Sequence, residues 1–168
     1  KAPILNTSIP QQYYSFSGGF KYKGFEVNLL FQGVGKYSKT ISGVGAYESE
    51  YQGVFTDLHL KAWTPERWNN GEEVTYPALS LKASTNHQPN SFFIMDASYL
   101  RLKNAEIAYT LPLNTSKKVF AEKIRFSLSG QNLFTIDNMR SKHIDPEIAN
   151  MGTFQPYRVY NIGVSLTF

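Results

Sequence analysis

Apolar and polar residues alternate with period two in five stretches of the chain, the spacing that sends successive side chains to opposite faces of a β-strand. The first covers 13–23. There Tyr14, Phe16, Gly18, Phe20 and Tyr22 share one face, and Ser15, Ser17, Gly19 and Lys21 the other. Lys23-Gly24 then reads as a tight turn, because glycine takes a positive φ at little cost. Phe25, Val27, Leu29 and Phe31 follow on one face, against Glu26, Asn28, Leu30 and Gln32 on the other. Together the two stretches predict a β-hairpin.

Over 33–90 the alternation is lost. Gly, Ser, Asn and Pro abound, and "WTPERWNNGEE" has no period, although "YQGVFTDLHLKAW" has the makings of local structure. A connection of this length is uncommon inside a compact domain and is usually functional. The third stretch covers about 91–111. Leu100 and Leu102 share one parity, whereas Ala105, Ile107 and Tyr109 share the opposite one. That slip predicts either a β-bulge near Lys103-Asn104 or a strand whose upper part leaves its apolar setting. Pro112 ends the stretch, and a short polar connection follows. The fourth stretch sets Ile124, Phe126, Leu128 and Gly130 against Arg125, Ser127, Ser129 and Gln131. After a second irregular segment, 137–156, the fifth sets Tyr160, Ile162, Val164, Leu166 and Phe168 against Asn161, Gly163, Ser165 and Thr167.

Connection lengths therefore run short, long, short, long. In an antiparallel meander this puts the tight turns at one end and the long loops at the other, an asymmetry typical of outer-membrane barrels. Aromatics near the ends of the apolar faces (Tyr14, Tyr22, Tyr109, Tyr160, Phe168) suit interfacial girdles. The opposite faces are small and polar, as a wet or plugged lumen requires. The competing reading is a soluble, aromatic-rich β-sandwich that is secreted and binds glycans, with one solvated face per sheet.

Composition changes this picture little. The chain has 168 residues, of which 42% are hydrophobic and 15% aromatic, so a packed core is feasible and strands are favoured over helices. The net charge of +4 comes from scattered Lys and Arg with no basic run, which argues against nucleic acid as a partner. There is no cysteine, and so no disulfide, thiolate metal site or Cys nucleophile. No run of about 18 apolar residues offers a membrane-spanning helix, but a barrel strand needs only ~9–11 alternating residues.

Candidate chemistry is sparse. His143 and Asp145 have the His-x-Asp spacing that opens a facial metal triad. The other histidines, His59 and His87, precede them in loop-like surroundings, so a solvated loop is preferred and no metal is expected. Glu66, Glu72 and Glu73 could furnish a carboxylate pair, but nothing in their segment positions them, and surface charge is the default. Trp63 and Trp68 offer flat faces for a sugar or peptide, with anchoring of the long loop the preferred reading. "DPE" at Asp145 to Glu147 is read as a turn about Pro146 rather than a cation site. The "NTS" triplets at Asn6 and Asn114 match a glycosylation acceptor and are given no weight. No phosphate cradle or nucleophile arrangement is present, so neither enzyme activity nor a cofactor is expected.

Several motifs also occur in a familiar order: "DASYLRLKNAEIAYTLP", "IRFSLSGQNLFTI", "DPE" and "YRVYNIGVSLTF", with "YKGFEVNLLFQGVG" and "WTPERW" upstream. Over about 13–168 this resembles the C-terminal end of SusC/RagA-like TonB-dependent outer-membrane transporters. The resemblance implies an all-β, antiparallel meander of about five strands within a large, roughly 22-stranded transmembrane barrel. It implies two long extracellular loops, 33–90 and 137–156, and a periplasmic C-terminus. Residues 1–168 are accordingly expected to be a C-terminal part of such a barrel, without the plug domain and earlier strands. Further implications are import of glycans or oligopeptides with a SusD-like surface lipoprotein, and energy from TonB acting through the plug-bearing part. Outer-membrane lipids and the barrel-assembly machinery are the remaining expected partners. Trp63, Trp68, Asp145 and Glu147 become candidate loop contacts with lipoprotein or substrate. Asn161, Gly163, Leu166 and Phe168 resemble the assembly signal of outer-membrane barrels in general.

Overall fold

The computed structural model describes residues 7–48, 55–82, 84–88, 90–148 and 152–168. Among them seven strands form: β1 (Gln12–Tyr22), β2 (Phe25–Gly35), β3 (Ser38–Thr40), β4 (Ile94–Asp96), β5 (Tyr99–Thr110), β6 (Lys123–Asp137) and β7 (Val159–Thr167). The described helices are α1 (Pro65–Asn69), α2 (Leu113–Ser116) and four 3₁₀ turns. The chain divides into two compact units.

One unit is a five-stranded sheet, built from Tyr13–Val34, Tyr99–Ile136 and Pro156–Phe168, in the order β1-β2-β5-β6-β7. Neighbours in that order are also successive among these five strands along the chain, so the sheet is a meander with β1 and β7 at its edges. The β1–β2 turn holds Lys23 at φ 46° and Gly24 at φ 89°. Positive φ at both central residues defines a type I′ turn, whose twist matches the flanking strands. β2 and β5 pair antiparallel, Phe25 opposite Tyr109, Val27 opposite Ile107 and Leu29 opposite Ala105. Beyond Leu30, which faces Asn104, the register jumps, so that Phe31 faces Leu102 and Lys103 is the extra residue. The parity slip in the sequence is therefore a bulge, which returns Leu100 and Leu102 to the apolar face. β6 and β7 pair with Ile124 opposite Leu166, Phe126 opposite Val164 and Leu128 opposite Ile162.

Three boundaries differ from the sequence expectation. The third stretch is interrupted at Ala97-Ser98, so β4 pairs with β3 in a separate two-stranded sheet. β6 runs on to Asp137, well past Gln131, through Asn132 at φ 52°. The short connection before it carries a helical turn rather than plain coil.

The second unit is built from Gly35–Ser98 and Asp137–Gln155, with 7–12. The two long connections, expected as separate loops, share one hydrophobic core. Ile41, Tyr47, Leu58, Tyr76, Phe93 and Met95 from the first pack with Met139 and Ile144 from the second. Aromatic edges close the packing: the Tyr47 and Phe93 rings meet at 4.7 Å between centroids and Phe92 and Phe93 at 5.1 Å, both edge to face.

Candidate functional site

The two faces of the five-stranded sheet differ in chemistry. On one, Phe16 stacks on Phe31 at 5.3 Å, Phe31 meets the edge of Phe134 at 6.3 Å, and Phe25 lies 4.4 Å from Tyr109. This apolar face is open. Phe20, Phe25, Ile107, Leu128, Ile162 and Leu166 are each more than half exposed. Tyr14 lies across Gly33 and donates its hydroxyl to the Tyr99 carbonyl at 3.1 Å. A Cβ on Gly33 would sit 2.3 Å from the Tyr14 ring, so glycine is required for that close approach.

The opposite face carries an ion network that spans four strands. Lys21 of β1 reaches Glu26 of β2 at 3.0 Å, and Arg125 of β6 reaches Glu26 at 3.4 Å and Glu106 of β5 at 2.5 Å. Next to it lies a trough of about 820 Å³ lined by Ser17, Gly19, Asn28, Asn104, Ser129 and Gln131. Further along, Arg101 is almost wholly buried and donates through Nε to Thr135 Oγ1 at 2.9 Å. Sequence alternation foresaw the polar parity of Lys21, Glu26 and Arg125, but could not pair Arg125 with Glu106, since that contact depends on strand register.

In the second unit, Thr64 caps α1 by accepting from the Arg67 N–H at 3.1 Å, with Pro65 in the first turn. Thr-Pro-Glu is a helix-start signature, but the alternation read along the sequence predicted no helix there. Its tryptophans part company: Trp68 is 65% exposed, whereas Trp63, 39% exposed, lines a cleft of about 550 Å³. Val74, Pro77, Ala78, Phe92 and Arg140 share that cleft. Arg140 was not singled out in the sequence and carried no signal there. Its guanidinium lies 4.3 Å from the Phe92 ring centroid, and burial lowers its pKa from the usual arginine value.

A buried polar cluster stands beside this cleft. Glu48 accepts from the Ser80 N–H at 2.7 Å and from the Tyr76 hydroxyl at 3.0 Å, and lies 3.1 Å from His87 Nε2. Burial pushes its pKa up, but these hydrogen bonds outweigh that and hold the carboxyl below its ordinary value. Tyr76 is pushed well up, by burial first and by Glu48 second. His59 accepts from the Thr56 N–H at Nδ1, 2.9 Å, and burial lowers its pKa.

The remaining candidates do not converge. Asp145 accepts from the Glu147 N–H at 2.9 Å around buried Pro146, so "DPE" is a turn. His143 donates its N–H to Ser141 Oγ at 3.2 Å. No group of three His, Cys, Asp or Glu among the described residues is placed to hold a metal. Glu72 pairs with Arg67 at 3.3 Å and Glu73 pairs with Lys61, leaving both as surface charge with Glu66. Asn114 lies in α2, and Asn6 lies outside the described residues. Leu166 and Phe168 are exposed at the end of the apolar face, while Asn161 and Gly163 stand opposite Ser129 and Ser127.

No family model matches the chain. Two curated proteins of Formosa agariphila are similar to it. TonB-dependent receptor P3 is 29% identical over 183 aligned positions, covering 98% of this chain and 17% of the receptor. TonB-dependent receptor P26 is 29% identical over 154, covering 90% and 15%. Two solved structures of the RagAB peptide importer share the fold at 22% identity. The open-open state superposes with a TM-score of 0.69 over 97% of this chain and 18% of that one, and the closed-closed state with 0.71 over 98% and 18%. The chain thus spans less than a fifth of the length of any of these proteins. The five-stranded meander lies within the part of the chain that these likenesses cover. In sequence the chain is similar to a segment of TonB-dependent receptors, and in fold to a segment of the RagAB importer.

Proposed function

We propose that this chain is the C-terminal part of the barrel of a TonB-dependent outer-membrane transporter that imports glycans or oligopeptides with a SusD-like surface lipoprotein. The observation that carries the reading is the two-faced sheet: an open aromatic face across all five strands, backed by an ion-paired polar face. In water such an apolar patch is an interaction or aggregation site, whereas in a bilayer it is the lipid contact. A five-stranded sheet leaves unpaired edges at β1 and β7, which lipid does not tolerate. The remaining strands of a barrel of roughly 22 strands, and its plug, would come from the rest of the transporter. The C-terminus then faces the periplasm and the second unit lies outside the cell, where Trp63, Trp68, Asp145 and Glu147 are available to lipoprotein or substrate. TonB acts through the plug, and the wall described above is passive.

Asn161, Gly163, Leu166 and Phe168 serve in this reading as the signal for the barrel-assembly machinery. Removing Phe168 should lower the amount of folded parent protein in the outer membrane without altering its synthesis. The sandwich alternative asks for a second sheet over the apolar face, and the exposure of Phe20, Ile162 and Leu166 speaks against it. Extraction is the direct test. The native polypeptide should be far larger than this chain's 19.1 kDa and leave outer membranes only in detergent. A folded, monodisperse monomer of that mass in plain buffer would overturn the proposal.

A further inference from the structure

The second unit contains one cleft whose chemistry is specific enough to name a ligand group. Its walls are aliphatic and aromatic: Trp63, Val74, Pro77, Ala78 and Phe92. Arg140 is the one formal charge among the lining residues. Its guanidinium lies along the Phe92 ring at 4.3 Å, and no carboxylate among the described residues pairs with it. The cleft is pre-formed, because its floor is tied by backbone bonds. The Trp63 N–H donates to the Tyr76 carbonyl at 2.9 Å and the Thr75 N–H to the Lys61 carbonyl at 2.9 Å. Tyr76 is in turn anchored to the Ala46 carbonyl at 2.7 Å.

A planar guanidinium held against an aromatic ring is pre-organised for a carboxylate, which it can bind through two parallel hydrogen bonds. The aliphatic walls suit an apolar side chain next to that carboxylate. They suit a sugar poorly, since its hydroxyls would need more polar partners than Thr75, Asn86 and the Trp63 indole N–H, the Tyr76 hydroxyl being engaged by the Ala46 carbonyl and Glu48. We infer that this cleft is a subsite for the C-terminal carboxylate of a short peptide ending in an apolar residue, with Arg140 holding the carboxylate and Trp63 packing on the terminal side chain. The inference rests on the transporter reading for the placement of the unit outside the cell, and on the cleft alone for the chemistry.

The test uses the intact parent transporter purified in detergent, with binding of a tripeptide ending in leucine measured by calorimetry against its C-terminal amide. The free acid should bind about tenfold or more tightly than the amide, the scale of one charge-assisted hydrogen-bonded pair. Arg140→Gln should abolish that preference by weakening the acid far more than the amide. Trp63→Ala should weaken acid and amide alike. Unchanged heat-modifiable migration of each variant shows that the barrel has folded. Equal affinity of acid and amide in the wild type, or an acid preference that survives Arg140→Gln, overturns the subsite. So does a uronic-acid oligosaccharide that is preferred over its neutral counterpart through Arg140 while both peptides fail to bind. Peptide uptake by whole cells is a separate readout. Acid-selective binding without TonB-dependent uptake would remove the transport reading and leave the subsite standing.

Discussion

His59 is buried with its ring 4.5 Å from Tyr76. Burial makes the charged form costly, and Glu48 and Asp57 only partly compensate, so its pKa lies below the ordinary 6.5. The unfolded chain therefore takes up a proton more readily than the folded unit. The contribution of His59 to stability is complete above about pH 6.5 and is lost as pH falls through the lower folded value. Backbone amides of 55–62 should lose hydrogen-exchange protection between pH 7.5 and 5, after correction for intrinsic rates. In His59→Gln that loss should flatten, and an identical pH profile in the variant would contradict this account. Glu48 adds to the acid sensitivity only lower down, because its own pKa is held below the usual carboxylate value. None of this was visible in the sequence. His59, His87 and Glu48 are separated there by irregular chain, and burial, which turns an unremarkable histidine into a proton-sensitive one, has no periodic signature.

At the scale of elements, the strands were legible where two local signals agreed. The β1–β2 hairpin combines strict alternation with a Lys-Gly turn, and the bulge in β5 announced itself as a change of parity, confirmed by the unpaired Lys103. Strand ends were not legible. β6 continues past Gln131 because Asn132 takes a positive φ within the strand, which the alternation could not anticipate. Alternation also could not decide between lipid and a second sheet, since both cover an apolar face. Leu128 and Ser129 are neighbours in β6 on opposite faces, the first 52% exposed beside Ile162 and the second paired with Asn161. In a soluble protein, lysine at an exposed Leu128 position would be close to neutral. As a lipid-facing position it should cost ~2–4 kcal/mol near the bilayer midplane, with little effect at lumen-facing Ser129. Equilibrium unfolding of the parent barrel with Leu128→Lys and Ser129→Lys separates the two readings, and equal small effects would argue against a membrane wall.

At the scale of the whole molecule, the two long connections fold as one body although they lie far apart in the chain. No sequence period marks this, because Ile41, Tyr47, Phe93, Met139 and Ile144 are isolated apolar residues that become a core only through long-range packing. Polar bonds fix the register of the two segments. Asp57 accepts from Ser141 Oγ at 2.6 Å and from the Lys142 N–H at 3.0 Å, and Lys39 donates to the Pro146 carbonyl at 3.2 Å. Burial raises the pKa of Asp57, but the bonds from Ser141 and Lys142 outweigh it and hold the carboxyl below its ordinary value. Asp57→Ala should leave Ser141, which is fully buried, without its acceptor. The cost should be ~1–3 kcal/mol, that of removing a charged hydrogen-bond partner. The informative readout is where the loss appears. If the connections form one cooperative unit, hydrogen exchange should rise across 139–148 as well as near position 57, while β6 and β7 keep their protection. Faster exchange confined to the immediate neighbours of Asp57 would mean that the two connections open independently, and that their common core contributes little to holding them together.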